Sequence, residues 1–303
     1  MPEKQTKAGL ILVAFLSVYL FWGGTYLGMK IGLESFPPFF MAAFRHLSAG
    51  IIMLSIALLK KEVKPTKAEL LNASLVGILL LLMGNGLVAW SEQRLPSAIA
   101  SLVITSVPFW VMTMNWISGD KKKPSKLELF SLFFGFLGIL IMVFQGSEES
   151  SLSLDPIGLS VLMIAAFSWS LGSLYSRHKA VPKSSLYSTA IQMLAGGSSL
   201  LIVTFILNEP SQVAWSTISM RSWMAMVYLI VFGSVIAYTA YIWLMKNVNP
   251  TLASTYAFVN PVVAVFLGFW LAHESFSTQT LIAATIIIAS VMILTLAKKP
   301  NKK

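Results

Sequence analysis

Residues 37–59 read PPFFMAAFRHLSAGIIMLSIALL, and Lys60 and Lys61 follow. This is a run of 23 residues with a single charge, Arg45. As a helix rising 1.5 Å per residue it reaches about 35 Å, enough to cross the roughly 30 Å hydrocarbon core of a bilayer. Arg45 lies eight residues past Pro37, roughly 12 Å into the membrane at that rise.

Nine more apolar runs accompany it. The predicted spans are residues 8–29, 37–59, 68–90, 95–118, 126–145, 156–176, 184–207, 220–244, 248–272 and 278–297. Of the 303 residues, 56% are hydrophobic and 11% charged, against about 25% charged in soluble globular chains. A water-exposed surface cannot be built from so few charges. The net charge of +10 does not mark a nucleic-acid binder, because the bases sit in short tracts between apolar runs. There are 0 cysteines, which excludes a disulfide framework, a thiolate metal site and a Cys nucleophile. The first run follows Lys4 and Lys7 but carries Trp22, Tyr26 and Lys30 where a cleavage site would lie, so it reads as an uncleaved span.

With the N-terminus inside, the tails and even-numbered loops hold 18 of the 22 Lys and Arg residues, the outer loops hold Lys30, Arg94 and Arg221, and Arg45 is within a span. That asymmetry predicts both termini on the cytoplasmic side. Self-comparison predicts two copies. A shift of 147 residues aligns Trp22 with Trp169, Leu47 with Leu194 and Gly50 with Gly197, and a shift of 153 aligns Trp90 with Trp243, Ser101 with Ser254 and Pro108 with Pro261. One loop between these blocks is therefore longer in the second half. Five spans per copy is an odd number, so the copies are inverted in the membrane. The expected division is 1–146 and 156–297, with an outer linker at 147–155 and a basic tail at 298–303.

At these residues the chain resembles the EamA family of the drug/metabolite transporter superfamily, one repeat per half. The resemblance is carried by Trp22 and Gly23 followed by Lys30, by Pro37 and Arg45, and by Glu92 and Gln93 before Ser97, Ala98 and Pro108. In the second half it is carried by Ser254, Asn260, Pro261 and Glu274. His273 stands where the family usually has Gly, and Lys121 where the first repeat would have its Glu. The resemblance implies an all-α fold of ten transmembrane helices, a central cavity, alternating access and export of small metabolites, amino acids or drugs.

Candidate substrate-binding residues follow from charge and polarity at depth. Arg45 is a fixed cation suited to a carboxylate, and the alternative is a structural bond to carbonyls. Asn85 lies between Gly84 and Gly86, where helices approach closely and an amide needs a partner. Trp22 with Tyr26, Tyr238 with Tyr241, and Tyr256 with Asn260 each form a stripe on one helix, and Trp169 repeats Trp22 in the sixth span. Such stripes either pack or line a pocket for flat solutes. His46, Glu92 and Gln93 are candidates for coupling or gating. His46 is read either as titrating at depth or as bonded to a neighbouring helix, and Glu92 either as a gate or as paired with Arg94 or Lys30. Pro108 and Pro261, each near the middle of a span, are candidate hinges. Gly24, Gly28 and Gly32 suit an inter-repeat seam or the face of a homodimer.

Both aspartates, Asp120 and Asp155, fall in loops, which excludes a membrane aspartyl protease. No H-E-x-x-H, G-x-S-x-G or P-loop is present, so no enzyme activity, cofactor or metal is expected. The expected partners are a small-molecule substrate and the lipid bilayer. The function expected is secondary transport, probed against drug or lipid-linked-molecule efflux, passive facilitation, and a non-transporting receptor or scaffold.

Overall fold

The computed structural model describes residues 2–95, 100, 103–118, 123–144, 155–263 and 278–296. Among these, the chain is helical and contains no strand. In chain order the helices are α1 (Pro2–Leu33), α2 (Pro38–Leu59), α3 (Lys67–Ser91), α4 (Val107–Ser118), α5 (Lys126–Phe144), α6 (Pro156–His178), α7 (Ser185–Ile206), α8 (Met220–Asn247), α9 (Pro250–Ala253, resuming over 256–263) and α10 (Thr278–Leu296). Six of them, α1, α2, α3, α6, α7 and α8, are long and apolar enough to cross a membrane. These six coincide with predicted spans. The segments around Ser97, Ala98, Lys121, His273 and Glu274 lie outside the described residues.

Local chemistry sets the helix starts. The Ser184 and Ser219 hydroxyls accept from the Tyr187 and Ser222 N–H groups, and the Asp155 and Asn249 side chains accept from Ile157 and Thr251. Thr66 and Glu69 close a reciprocal capping box at α3. α2 begins on Pro37 and Pro38 without a local side-chain cap. Its cap comes from 169 residues away: the Glu209 carboxylate accepts from the Phe40 N–H at 2.6 Å, from Phe39 at 3.4 Å, and from the Thr204 hydroxyl at 2.8 Å. An anion at a helix N-terminus meets the positive end of the helix dipole.

The two halves pack as mates. A shift of 147 residues carries both ends of α2 onto both ends of α7, and a shift of 153 carries the start of α3 onto the start of α8. α2 packs on α7 and α5 on α10, while α1 packs on α8 as α6 packs on α3. The α2–α7 contact is reciprocal. A Cβ on Gly50 would meet Leu194 Cγ at 2.9 Å, and one on Gly197 would meet Leu47 Cγ at 3.0 Å. Since 47 faces 197 and 50 faces 194, the helices run antiparallel and the halves are inverted about this contact. Lys61 and Asn208, also mates, are the two non-glycine residues with left-handed backbone among those described, at φ 51° and 54°. The six extra residues of the second half fall in the connection 207–219, against 60–66 in the first. The longer connection forms two short 3₁₀ turns, and Glu209 sits in the first.

Both third helices of the halves are wound more loosely at mid-length. α3 is a π-helix over Ile78–Gly86 and α8 over Leu229–Tyr238. Such segments concentrate at functional sites, because the widened turn re-aims side chains. The fourth helices break by a different device from the predicted proline kinks. α4 starts after a turn at Thr105 and Ser106, and α9 is interrupted at Ser254 and Thr255. Pro108 thus falls in the first turn of α4, where its missing N–H costs no helical bond. Pro261 lies six residues past the α9 break, inside helical backbone. The glycine stripe of α1 is used within the chain: Gly28 lies against Leu229 of α8, and Gly32 against Met41 of α2.

Candidate functional site

α1, α2, α3, α6, α8 and α9 enclose a cavity between the two halves. Its lining includes Trp22, Tyr26, Arg45, His46, Asn85, Trp169, Tyr238, Tyr256 and Asn260. The cavity has a volume of about 90 Å³. It is a slot for a small solute. Among the described residues, no carboxylate lines it.

Arg45 is 5% exposed. Its Nε donates to Ser234 Oγ at 2.7 Å. Ser234 lies in the π segment of α8, next to Gly233, whose carbonyl accepts from Trp22 Nε1 at 2.8 Å. A Cβ at Gly233 would stand 2.8 Å from Arg45 Nη2 and 2.8 Å from Thr25 Cγ2, so only glycine leaves room for the guanidinium. One ion pair, Arg94 with Asp155, occurs among the described residues. Arg45 therefore has no carboxylate partner there. A buried cation without one is costly in hydrocarbon unless it faces a polar cavity or a ligand.

His46, the next residue, turns to α3, with Nε2 and Asn85 Oδ1 at 3.3 Å. Its Nδ1 is buried without a partner, as is Asn260 Oδ1. The aromatic side chains form one wall. The Trp22 ring lies 4.8 Å from Tyr256 and 5.6 Å from Trp169, both edge-on, and 5.1 Å from Tyr241. Tyr241 is fully buried behind that wall. Its hydroxyl bonds Ser173 Oγ at 2.6 Å and accepts from Trp169 Nε1 at 3.3 Å. Tyr238 lines the cavity and donates to Gln192 Oε1 at 2.8 Å. Gln192 is the repeat mate of Arg45, so the two halves contribute a charge and a neutral amide at equivalent places.

The structure thus gathers Trp22, Tyr26, Arg45, His46, Asn85, Trp169, Tyr238, Tyr256 and Asn260 around one space, and sets Tyr241 behind it. Ser168 and Ser170, neighbours of Trp169, bond backbone carbonyls. Glu92 follows Ser91, the last residue of α3, one helical turn beyond Val88 of the cavity lining, and its N–H donates to the Val88 carbonyl at 3.0 Å. It pairs with neither expected cation: Arg94 bonds Asp155 at 3.2 Å and lies over the Trp90 ring at 4.5 Å. Its Oε1 is buried without a partner, and burial pushes the carboxyl up to about 7. Gln93 is exposed and lines a separate, wider vestibule with Glu34, Glu209 and Gln212. Sequence reading missed Gly233, Ser234 and Thr25. The Gly-Ser pair inside an apolar run was the available signal.

Comparison with known proteins bears on the family and the fold. The EamA-like transporter family matches residues 8–144 and 156–296, once in each half. The chain is 39% identical to the uncharacterized inner membrane transporter YedA of Escherichia coli (strain K12), over 94% of this chain and 90% of the relative. It is 21% identical to the uncharacterized transporter YoaV of Bacillus subtilis (strain 168), over 93% and 95%. A crystal structure of a protein 20% identical superposes with a TM-score of 0.79 over 96% of this chain and 97% of that one, which shows a shared fold. With both halves matched and a relative this close along nearly the whole length, this membrane-embedded, multi-pass chain belongs to the EamA-like transporter family.

Proposed function

We propose that the chain is a secondary transporter that exports small amphipathic metabolites bearing an anionic group, amino acids among them, by alternating access. The observation that carries this reading is Arg45: a buried cation on the cavity wall, fixed by Ser234 through Nε and without a carboxylate partner among the described residues. A guanidinium held at Nε turns its outer nitrogens toward a carboxylate in a fork geometry. The aromatic wall of Trp22, Trp169 and Tyr256 supplies the apolar face that an amphipathic solute needs.

In this reading ten helices span the bilayer, and the end that carries Lys60, Lys61, Lys64, Arg177, Lys179 and Lys183 faces the cytoplasm. The charge distribution supports the orientation, since the opposite end carries only three bases, Lys30, Arg94 and Arg221. The test is flux of a labelled amino-acid panel into liposomes holding the purified protein, with and without a pH gradient. Arg45→Ala should reduce flux of carboxylate-bearing solutes at least tenfold while the protein stays folded. Full activity in that variant removes Arg45 from the site. A passive facilitator or exchanger is the second reading. It is favoured by a cavity that no carboxylate lines among the described residues, and it predicts equilibrating flux that ignores the gradient.

A further inference from the structure

Glu209 and Glu62 occupy equivalent places with opposite bonding. The shift that superimposes α2 on α7 carries Glu62 onto Glu209, and Phe39 and Phe40 onto Leu186 and Tyr187. The chain leaves both helices through the same left-handed residue, Lys61 or Asn208, so the glutamate that follows is presented alike. Glu209 closes the N-terminus of α2 by accepting from Phe39 and Phe40. Glu62, at the opposite end of the molecule, makes no side-chain hydrogen bond or ion pair among the described residues. The N-terminus of α7 is capped there by Ser184, which accepts from Tyr187 at 3.3 Å. The two are neighbours in space: Ala57, five residues before Glu62, packs in one cluster with Tyr187, Ile191 and Leu186.

Inverted repeats reach their opposite-facing state when one half rocks against the other and the two exchange roles. We propose that Glu209 and Glu62 are reciprocal latches. Glu209 holds α2 in the state described here, and Glu62 takes the Leu186 and Tyr187 N–H groups of α7 when the cavity opens to the other side. This rests on the alternating-access reading above. Each latch is an anion on a helix N-terminus, so each favours the state in which it is closed. The two are unequal. Thr204 gives Glu209 a further hydrogen bond, whereas its mate in the first half is Ala57, which has no hydroxyl. The Glu209-closed state is therefore the resting one.

The chain contains 0 cysteines, so label sites can be introduced freely. Spin labels on cysteines at Gln93 and Gln212 report the vestibule end, and a pair at Lys64 and Lys183 reports the other. Distances are read by double electron–electron resonance in proteoliposomes. Wild type should show two populations at each end, with opposed weights. Glu209→Gln keeps an acceptor oxygen and so preserves folding, but loses the charge. It should shift the ratio roughly five- to thirtyfold away from the population that dominates in the wild type. Glu62→Gln should shift it the other way, and the double variant should return toward the wild-type ratio. An unchanged ratio in Glu209→Gln, with or without a lower melting temperature, overturns the latch and leaves Glu209 a structural cap. So does a shift of the same sign in both variants. A failure of alternating access looks different: a single population at each end in every variant, with and without the amino-acid panel, removes both readings. Two populations indifferent to either glutamate remove the latch alone.

Discussion

Gly233→Ala separates the placement of the cation from the stability of the fold. The added methyl would stand 2.8 Å from Arg45 Nη2 and 2.8 Å from Thr25 Cγ2, both inside van der Waals contact. The Arg45 tip is the end of a flexible chain, and Thr25 Cγ2 belongs to a stiff β-branched residue. The guanidinium is therefore the group that moves, and its 2.7 Å bond to Ser234 breaks or lengthens. Overpacking of this kind costs about 1–3 kcal/mol. Alanine returns up to about 1 kcal/mol as the better helix former. Net destabilisation of about 0–3 kcal/mol leaves the protein folded. Loss of a charge-assisted bond that orients the cation is worth about 1.5–3 kcal/mol, a factor of ten or more in apparent affinity. The assay is concentration-dependent flux of the carried solute in liposomes, alongside a thermal melt in detergent. Flux kinetics equal to wild type would refute the placement of Arg45 by Gly233. Gly50→Ala is the control. Its methyl would meet Leu194 Cγ at 2.9 Å and the Leu194 backbone N at 3.0 Å, which cannot swing away, so the melt should fall by more than in Gly233→Ala.

Glu92→Gln tests a buried carboxyl. Its folded pKa, about 7, lies above the ordinary carboxyl value of 4.5, so the folded state binds the extra proton between these values. Stability should then fall as pH rises from about 4.5 to 7 and stay level above. Glu92→Gln should remove that slope and stabilise the protein by about 1–3 kcal/mol at pH 8. A melting temperature with the same pH dependence in both proteins would sink this account. Single cysteines at Lys64 and Gln93 test orientation. An impermeant maleimide added outside intact cells should label Gln93→Cys and spare Lys64→Cys until the membrane is opened, and the reverse pattern would invert the assignment.

Several parts of this protein are legible along the chain because they depend on local or periodic properties. Length and apolarity of 37–59 or 220–244 fix membrane-length helices, since the bilayer accepts backbone only when its hydrogen bonds are satisfied internally. The matches Leu47 with Leu194 and Gly50 with Gly197 point to the inverted pair, because a reciprocal helix contact needs the same small residue on both sides. Polar groups at depth, Arg45, Asn85 and Asn260, stand out because hydrocarbon penalises them, and they converge on one cavity.

What the sequence left open depends on three-dimensional register. Tyr241 shares a stripe with Tyr238, yet it packs behind the wall because Ser173 and Trp169 take its hydroxyl. Ser234 is marked in sequence only as half of a Gly-Ser pair inside an apolar run. It becomes the partner of Arg45 because the widened turn of α8 brings it across the interface between the halves. Glu209 looks like an ordinary loop acid, and only the packing of α7 against α2 brings it to a helix start 169 residues away in sequence. Apolar length and repetition are one-dimensional and are written in the chain. Which polar atoms meet is decided by the rotation and depth of helices packed from distant parts of it.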